Sequence, residues 1–166
     1  GVRVQVGAFT NLTQDHLDYH PDFADYFASK LKLFTERLPA DGRAVINVDS
    51  EWGGKMAAAA RERGLEVLTM GWRGSDLAIR EITPRAASQS VVFVWKGREH
   101  ALDIPLVGEF QILNALGAAA IALSDGVAEA SVLDTLKGLA GVPGRLEKVG
   151  ETAVGAPVLV YVSRIT

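Results

Sequence analysis

Asp15, His16 and Asp18 fall in one polar stretch, Thr10-Asn11-Leu12-Thr13-Gln14-Asp15-His16-Leu17-Asp18-Tyr19-His20-Pro21, and Lys30 follows fourteen residues after His16. Ionisable side chains gathered just past a buried-looking strand are where α/β proteins place ligands. Lys30 is the second chemical signal, because it stands among apolar residues. A lysine on a core-facing position must snorkel, pair or change its charge. Snorkelling at the end of an amphipathic helix is the plain reading of the pattern; the sharper one has Lys30 reaching into a site.

Two elements would position these groups. Val4-Gln5-Val6-Gly7-Ala8-Phe9 has apolar residues at near-alternate positions and reads as a strand that delivers the chain to the polar loop. After the loop, His20-Pro21 is a good helix start, because proline suits the first helical position. Asp22 and Asp25 place carboxylates at the positive end of the helix dipole. Phe23, Phe27, Leu31, Phe34 and Leu38 recur at helical spacing and make one apolar stripe on a single helix. Lys30 lies near the middle of that stripe, and Lys32 points to the opposite side.

The string TNLTQDHLDYHPDFADYFASKLKLF resembles the Mur ligases, ATP-dependent amide-bond ligases of peptidoglycan precursor synthesis. Within them it is most similar to the MurE type, which adds the third residue to UDP-N-acetylmuramoyl-L-Ala-D-Glu. The pattern is a TN-x-x-x-DHLD loop, then a helix with A-x-K or A-A-K, at the spacing found between His16 and Lys30. The resemblance implies that His16 helps bind Mg²⁺ and that Lys30 is carbamylated by carbon dioxide, becoming in effect a carboxylate. A carbamate can hold Mg²⁺ by oxygen ligation, and a buried ammonium cannot.

The 166 residues suit one domain with a buried core, and 48% hydrophobic content argues against extended disorder. A formal charge of −3 gives no reason to expect nucleic acid. Without cysteine there is no disulfide framework and no thiolate metal site. No apolar run is long enough to span a bilayer, so neither nucleic acid nor membrane is an expected partner and the cytoplasm is the default location. Gly1 is not an initiator methionine and stands close to a strand, so the first residue reads as internal.

Further along, residues 43–49 read as a buried strand, 51–63 as an Ala-rich helix closed by Gly64, and 66–70 as a strand, which suggests a right-handed βαβ unit. Residues 77–83, 90–95 and 100–104 are consecutive strands with Lys96-Gly97-Arg98 at the second turn. Without helices between them they predict a small antiparallel meander over about 76–105, a distinct element attached to the parallel sheet. Helices are expected near 109–124 and 129–139, and strands near 145–149 and 157–162. The fold class is therefore α/β, and by resemblance a partial P-loop-type parallel sheet of the Mur ligase central domain with a small antiparallel β element.

The second half carries further likenesses. Gly108-Glu109-Phe110-Gln111-Ile112-Leu113-Asn114 resembles the family's G-x-[FHY]-N-x-x-N segment, which implies that Asn114 contacts the adenine of ATP; Gln111 replaces the first asparagine. Small residues on such a helix also mean close packing. Pro143-Gly144-Arg145-Leu146-Glu147 matches P-G-R-[LM]-E, which implies that Arg145 approaches the nucleotide, although Pro-Gly before a strand is also an ordinary turn. Asn47 and Asp49 resemble an I-N-x-D-D strand end in which Ser50 replaces the second aspartate.

The family's P-loop, G-x-x-G-K-[ST], has no counterpart in this sequence. The resemblance accordingly implies that residues 1–162 are the C-terminal half of the central ATP-binding domain. Residues 163–166 form a non-family tail, and the UDP-binding domain, the P-loop half and the C-terminal domain are expected to be absent. The expected activity is that of a fragment of an ATP-dependent ligase. The whole enzyme would act on UDP-N-acetylmuramoyl-dipeptide and an amino acid, diaminopimelate or lysine, through an acyl phosphate; the chain alone is expected to be inactive. The alternatives are a folylpolyglutamate synthetase-like ligase fragment and a non-catalytic α/β interaction module. An exposed sheet edge would permit self-association.

Overall fold

A computed structural model describes residues 4–11, 23–139, 145–151 and 157–161, with side chains over 4–11 and 24–139. Strands β1 (Val6–Phe9), β2 (Arg43–Asn47), β3 (Glu66–Gly71), β4 (Leu77–Pro84), β5 (Gln89–Trp95) and β6 (Arg98–Ile104) form one six-stranded sheet in chain order. Strands β1 to β3 are parallel neighbours, and β4, β5 and β6 pair antiparallel. Strands β7 (Arg145–Glu151) and β8 (Pro157–Tyr161) form a second, two-stranded antiparallel sheet.

The expected hairpins of residues 76–105 are present, attached to the parallel strands within one sheet. Strand β4 pairs parallel with β3 through Met70↔Leu77 and Gly71↔Ala78, so the antiparallel strands extend the parallel ones. Parallel neighbours ordinarily need a long crossover. Here the overlap is so short that residues 72–76 suffice. Asp76 makes this return possible: its Oδ2 accepts the Thr69 N–H at 2.8 Å and the Thr69 hydroxyl at 3.0 Å, and its own N–H donates to Thr69 O at 3.2 Å. The carboxylate thus stands in for a missing strand residue. Asp76→Ala would leave the N–H of buried Thr69 without an acceptor. The expected loss is about 2 kcal/mol, read as a lower denaturation midpoint, with Asp76→Asn recovering part of it.

Helices cover both faces. Helices α1 (Phe23–Lys32) and α2 (Glu51–Glu62) pack on one side around Phe9, Phe34, Leu38, Ala44, Ile46, Met56 and Ala60. Helices α3 (Glu109–Ser124) and α4 (Glu129–Lys137) pack on the other around Val45, Leu68, Met70, Phe93, Ile112 and Leu116. Ala44-Val45-Ile46 serves both layers, which is why β2 reads as an unbroken apolar run. Strand β5 instead alternates, burying Gln89, Val91, Phe93 and Trp95. Among the described residues no helix is long and apolar enough to cross a membrane.

The stripe from Phe27 to Leu38 is carried by two kinds of helix. Helix α1 ends at Lys32 and a π-helical turn, Leu33–Arg37, follows. The Thr35 hydroxyl donates back to Leu31 O at 3.2 Å, a contact that loosens a helix, and the Leu38 N–H reaches Leu33 O at 3.0 Å. Arg63, just past α2, holds the widened turn by donating from Nε to Thr35 O and from Nη2 to Leu38 O. The turn brings Leu33, Phe34 and Leu38 together over Gly7, where an added Cβ would lie 3.1 Å from Leu38 Cδ1.

Candidate functional site at the carboxyl ends of the parallel strands

Strands β1, β2 and β3 run in the same direction, so their carboxyl ends share one edge, the place where open α/β sheets bind ligands. At the end of β2, buried Asn47 turns its Oδ1 onto the Asp49 N–H at 2.8 Å, a local side-chain turn. Asp49 Oδ1 accepts the Arg73 N–H at 2.9 Å, which ties the end of β2 to the loop after β3. Gly71 makes that approach feasible. Its φ is +116°, and a Cβ there would lie 2.4 Å from Asp49 Oδ2. Ser50, at the position of the pattern's second aspartate, caps α2 by accepting the Gly53 N–H at 3.1 Å. The side chains of Asn47, Asp49 and Ser50 therefore hold the architecture of this edge.

Glu51, in the first turn of α2, has its carboxyl held below the usual range by the hydrogen bond and then the charge of Lys55, 2.7 Å away. A depressed carboxyl contributes stability above its unfolded value that is lost as pH falls through the folded one. Both side chains are exposed, so water and salt screen the contribution of the pair.

Helix α3 begins at the same edge. Trp72, just after β3, donates from Nε1 to Glu109 Oε1 at 3.0 Å, joining the strand end to the first turn of α3. Trp72 and Phe110 are each 41% exposed, so two aromatic faces meet solvent here. Sequence reasoning missed this junction; its trace was a tryptophan directly after a strand-end glycine.

The four residues assigned from the sequence are distributed as follows. Lys30 is half-buried on α1 with Nζ 4.7 Å from the centre of the Tyr26 ring, whereas Lys32 is exposed, as the stripe phase requires. Asn114 is exposed in the second turn of α3, while Gly117, Ala119 and Ala120 of the same helix are buried, with Met70 Sδ 3.5 Å from where a Cβ on Gly117 would be. Close packing thus accounts for the small residues of α3. Arg145 opens β7, and its side chain lies outside the described residues, as do Asp15, His16 and Asp18. Helices α1 and α3 lie on opposite faces of the sheet, so a ligand meeting both Lys30 and Asn114 must reach round the carboxyl ends of the strands.

Among the described residues no three His, Cys, Asp or Glu side chains converge as metal ligands. The Lys30 amine is half-sheltered against an aromatic ring on an otherwise apolar helix face.

A profile of the Mur ligase middle domain matches residues 1–122. The chain belongs to the Mur ligase family. The UDP-N-acetylmuramoyl-L-alanyl-D-glutamate–2,6-diaminopimelate ligase of Agrobacterium fabrum is 44% identical over 162 residues, covering 98% of this chain and 33% of that protein. The solved structure of a UDP-N-acetylmuramoyl-L-alanyl-D-glutamate–2,6-diaminopimelate ligase superposes with a TM-score of 0.77 at 26% identity, over 90% of this chain and 31% of that one. MurF from Acinetobacter baumannii shares the fold, with a TM-score of 0.80 at 21% identity over 90% of this chain and 32% of that one. The chain spans about a third of the length of the curated relatives it matches.

Proposed function

We propose that this Mur ligase chain is the second half of the central ATP-binding domain, residues 1–162, of a ligase that adds diaminopimelate to UDP-N-acetylmuramoyl-L-Ala-D-Glu in the cytoplasm. The observation that carries this reading is the DHLD loop and Lys30 at family spacing within the matched span, residues 1–122. The names of the relatives favour diaminopimelate over lysine as the incoming residue and over a folylpolyglutamate synthetase.

In this reading ATP gives its γ-phosphoryl group to the D-Glu carboxylate. The amine of diaminopimelate then attacks the acyl phosphate, and phosphate leaves as the amide forms. His16 and Lys30, as its carbamate, would hold Mg²⁺, which when bound neutralises charge on the transferring phosphoryl group. Asn114 and Arg145 hold adenine and ribose. The frame for these groups is the edge built by Asn47–Asp49, Gly71 and the Trp72–Glu109 bond. Self-association of the chain would use β1, whose strand residues Val6–Phe9 are uncharged; the opposite edge, β6, carries Arg98, Glu99 and Asp103, charges that discourage pairing.

Exchange of the matching third of the Agrobacterium fabrum ligase for this chain tests the reading. The hybrid is expected to form the tripeptide product from ATP, the UDP-linked dipeptide and diaminopimelate. A folded hybrid without turnover would remove the proposed function. The 166-residue chain alone is expected to hydrolyse no ATP, because no P-loop in its sequence offers amides and a lysine to the phosphates. Phosphate release by the purified chain above the buffer rate would show a triphosphate site elsewhere in it.

A further inference from the structure

Helix α3 starts at Gly108, whose φ is +92° and which has no side chain to cap the first turn. An uncapped first turn is where a helix frays, because its N–H groups lack partners within the helix. On the inner side Ile112 and Leu116 are fully buried and anchor the helix. On the outer side Trp72 ties it, its indole N–H donating to Glu109 Oε1 at 3.0 Å. Trp72 itself stands on a loop held on both flanks. Asp49 Oδ1 accepts the Arg73 N–H at 2.9 Å, the Gly74 N–H donates to Gly71 O at 3.2 Å, and the Asp76 carboxylate clamps Thr69. The Trp72–Glu109 bond thus transmits the position of the strand edge to the first turn of α3.

Phe110 and Asn114 are four residues apart on α3, so they share one face, about 6 Å apart along the helix axis. Both are exposed. An aromatic ring beside an amide suits a purine base, which stacks on the first and hydrogen-bonds to the second. We propose that Trp72 is a positioning residue for the nucleotide: by holding Glu109 it fixes the rotation of the α3 face that carries Phe110 and Asn114. This inference rests on the reading of Asn114 as the adenine contact. Trp72 acts through the helix and has no need to touch the base. Lys30 lies across the sheet from α3. Loss of the bond therefore weakens nucleotide binding and leaves the transfer step as it was.

Steady-state kinetics of the hybrid ligase test this. Trp72→Phe keeps a ring and removes the donor. It is expected to raise KM for ATP about three- to tenfold, with kcat and KM for the UDP-linked dipeptide within about twofold of the parent hybrid, the pattern of lost ground-state binding. Glu109→Gln keeps an oxygen acceptor and is expected to stay near the parent KM for ATP. Glu109→Ala is expected to match Trp72→Phe, and the double variant to be no worse than either, because both remove one bond. An unchanged KM for ATP in Trp72→Phe, with a raised one in Asn114→Ala, overturns the inference and leaves the adenine reading standing. A fall in kcat together with a rise in every KM in Trp72→Phe shows a general structural role and also overturns it. An unchanged KM for ATP in Asn114→Ala removes the adenine reading, and the inference with it.

Discussion

Gly53→Ala is expected to destabilise this domain by about 3 kcal/mol or more, whereas Gly54→Ala, one residue on, is expected to stabilise it by about 1 kcal/mol. Both glycines lie in the first turn of α2, and propensity alone treats them alike. Their surroundings do not. A Cβ on Gly53 would fall 1.9 Å from Asn47 O, 3.0 Å from Asn47 C and 3.1 Å from Val48 Cα, all backbone of the β2 strand end. A Cβ on Gly54 would meet nothing within 4 Å. Helix α2 cannot back away from β2 cheaply, since Ser50 caps it and Met56, Ala57 and Ala60 are buried beneath it. At about 2–4 °C per kcal/mol for a domain of this size, the two variants should melt on opposite sides of the wild type. Melting of Gly53→Ala within a degree of wild type would mean that α2 does not approach β2 as closely as the structure has it.

The contrast also marks what a sequence can and cannot disclose. The α2 helix, its Ala-rich buried face and its closure at Gly64 are legible from periodicity and one glycine. That Gly53 is obligatory and Gly54 is not depends on where the β2 carbonyl at Asn47 comes to rest, which no local pattern encodes. The strand runs of residues 77–104 were legible for a similar reason, because alternation and the Lys96-Gly97 turn are local signals. The parallel pairing of β4 with β3 was not, since it follows from the Asp76 carboxylate replacing a backbone acceptor for Thr69. The π-helical turn after Lys32 was hidden likewise: it needs Arg63, 28 residues away in sequence, to hold the Thr35 carbonyl.

The candidate site divides along the same line. Lys30 declared itself through the phase of its stripe, and half-burial beside an exposed Lys32 agrees with that phase. The likeness of Asn47-Val48-Asp49 to a family strand end drew attention to the carboxyl end of β2. It did not reveal that Asn47 and Asp49 spend their oxygens on the Asp49 and Arg73 amides, or that Ser50 caps a helix. The Trp72–Glu109 bond joins residues 37 positions apart and left only a strand-end aromatic as a clue.

In the hybrid ligase, Lys30→Ala and His16→Ala are each expected to lower turnover about 100-fold or more, the scale set by losing a positioned electrostatic partner of the transition state. Lys32→Ala is the matched control. It removes the same charge from the same helix two residues away, but from an exposed position, and is expected to leave turnover within about twofold, as surface substitutions remote from a site do. The carbamate adds a dependence that charge removal alone would not give. Stripping carbon dioxide from the buffer should slow the parent hybrid and restore its rate when bicarbonate returns, because the anion forms reversibly. Lys30→Ala, with no amine to convert, should show no response to bicarbonate. If instead Lys30→Ala and Lys32→Ala lose activity equally, the stripe position of Lys30 carries no special chemistry and its half-burial is snorkelling. If Lys30→Ala is inactive but the parent ignores carbon dioxide, Lys30 acts as a cation on the phosphates, and the Mg²⁺ assignment passes to His16 and its neighbouring carboxylates.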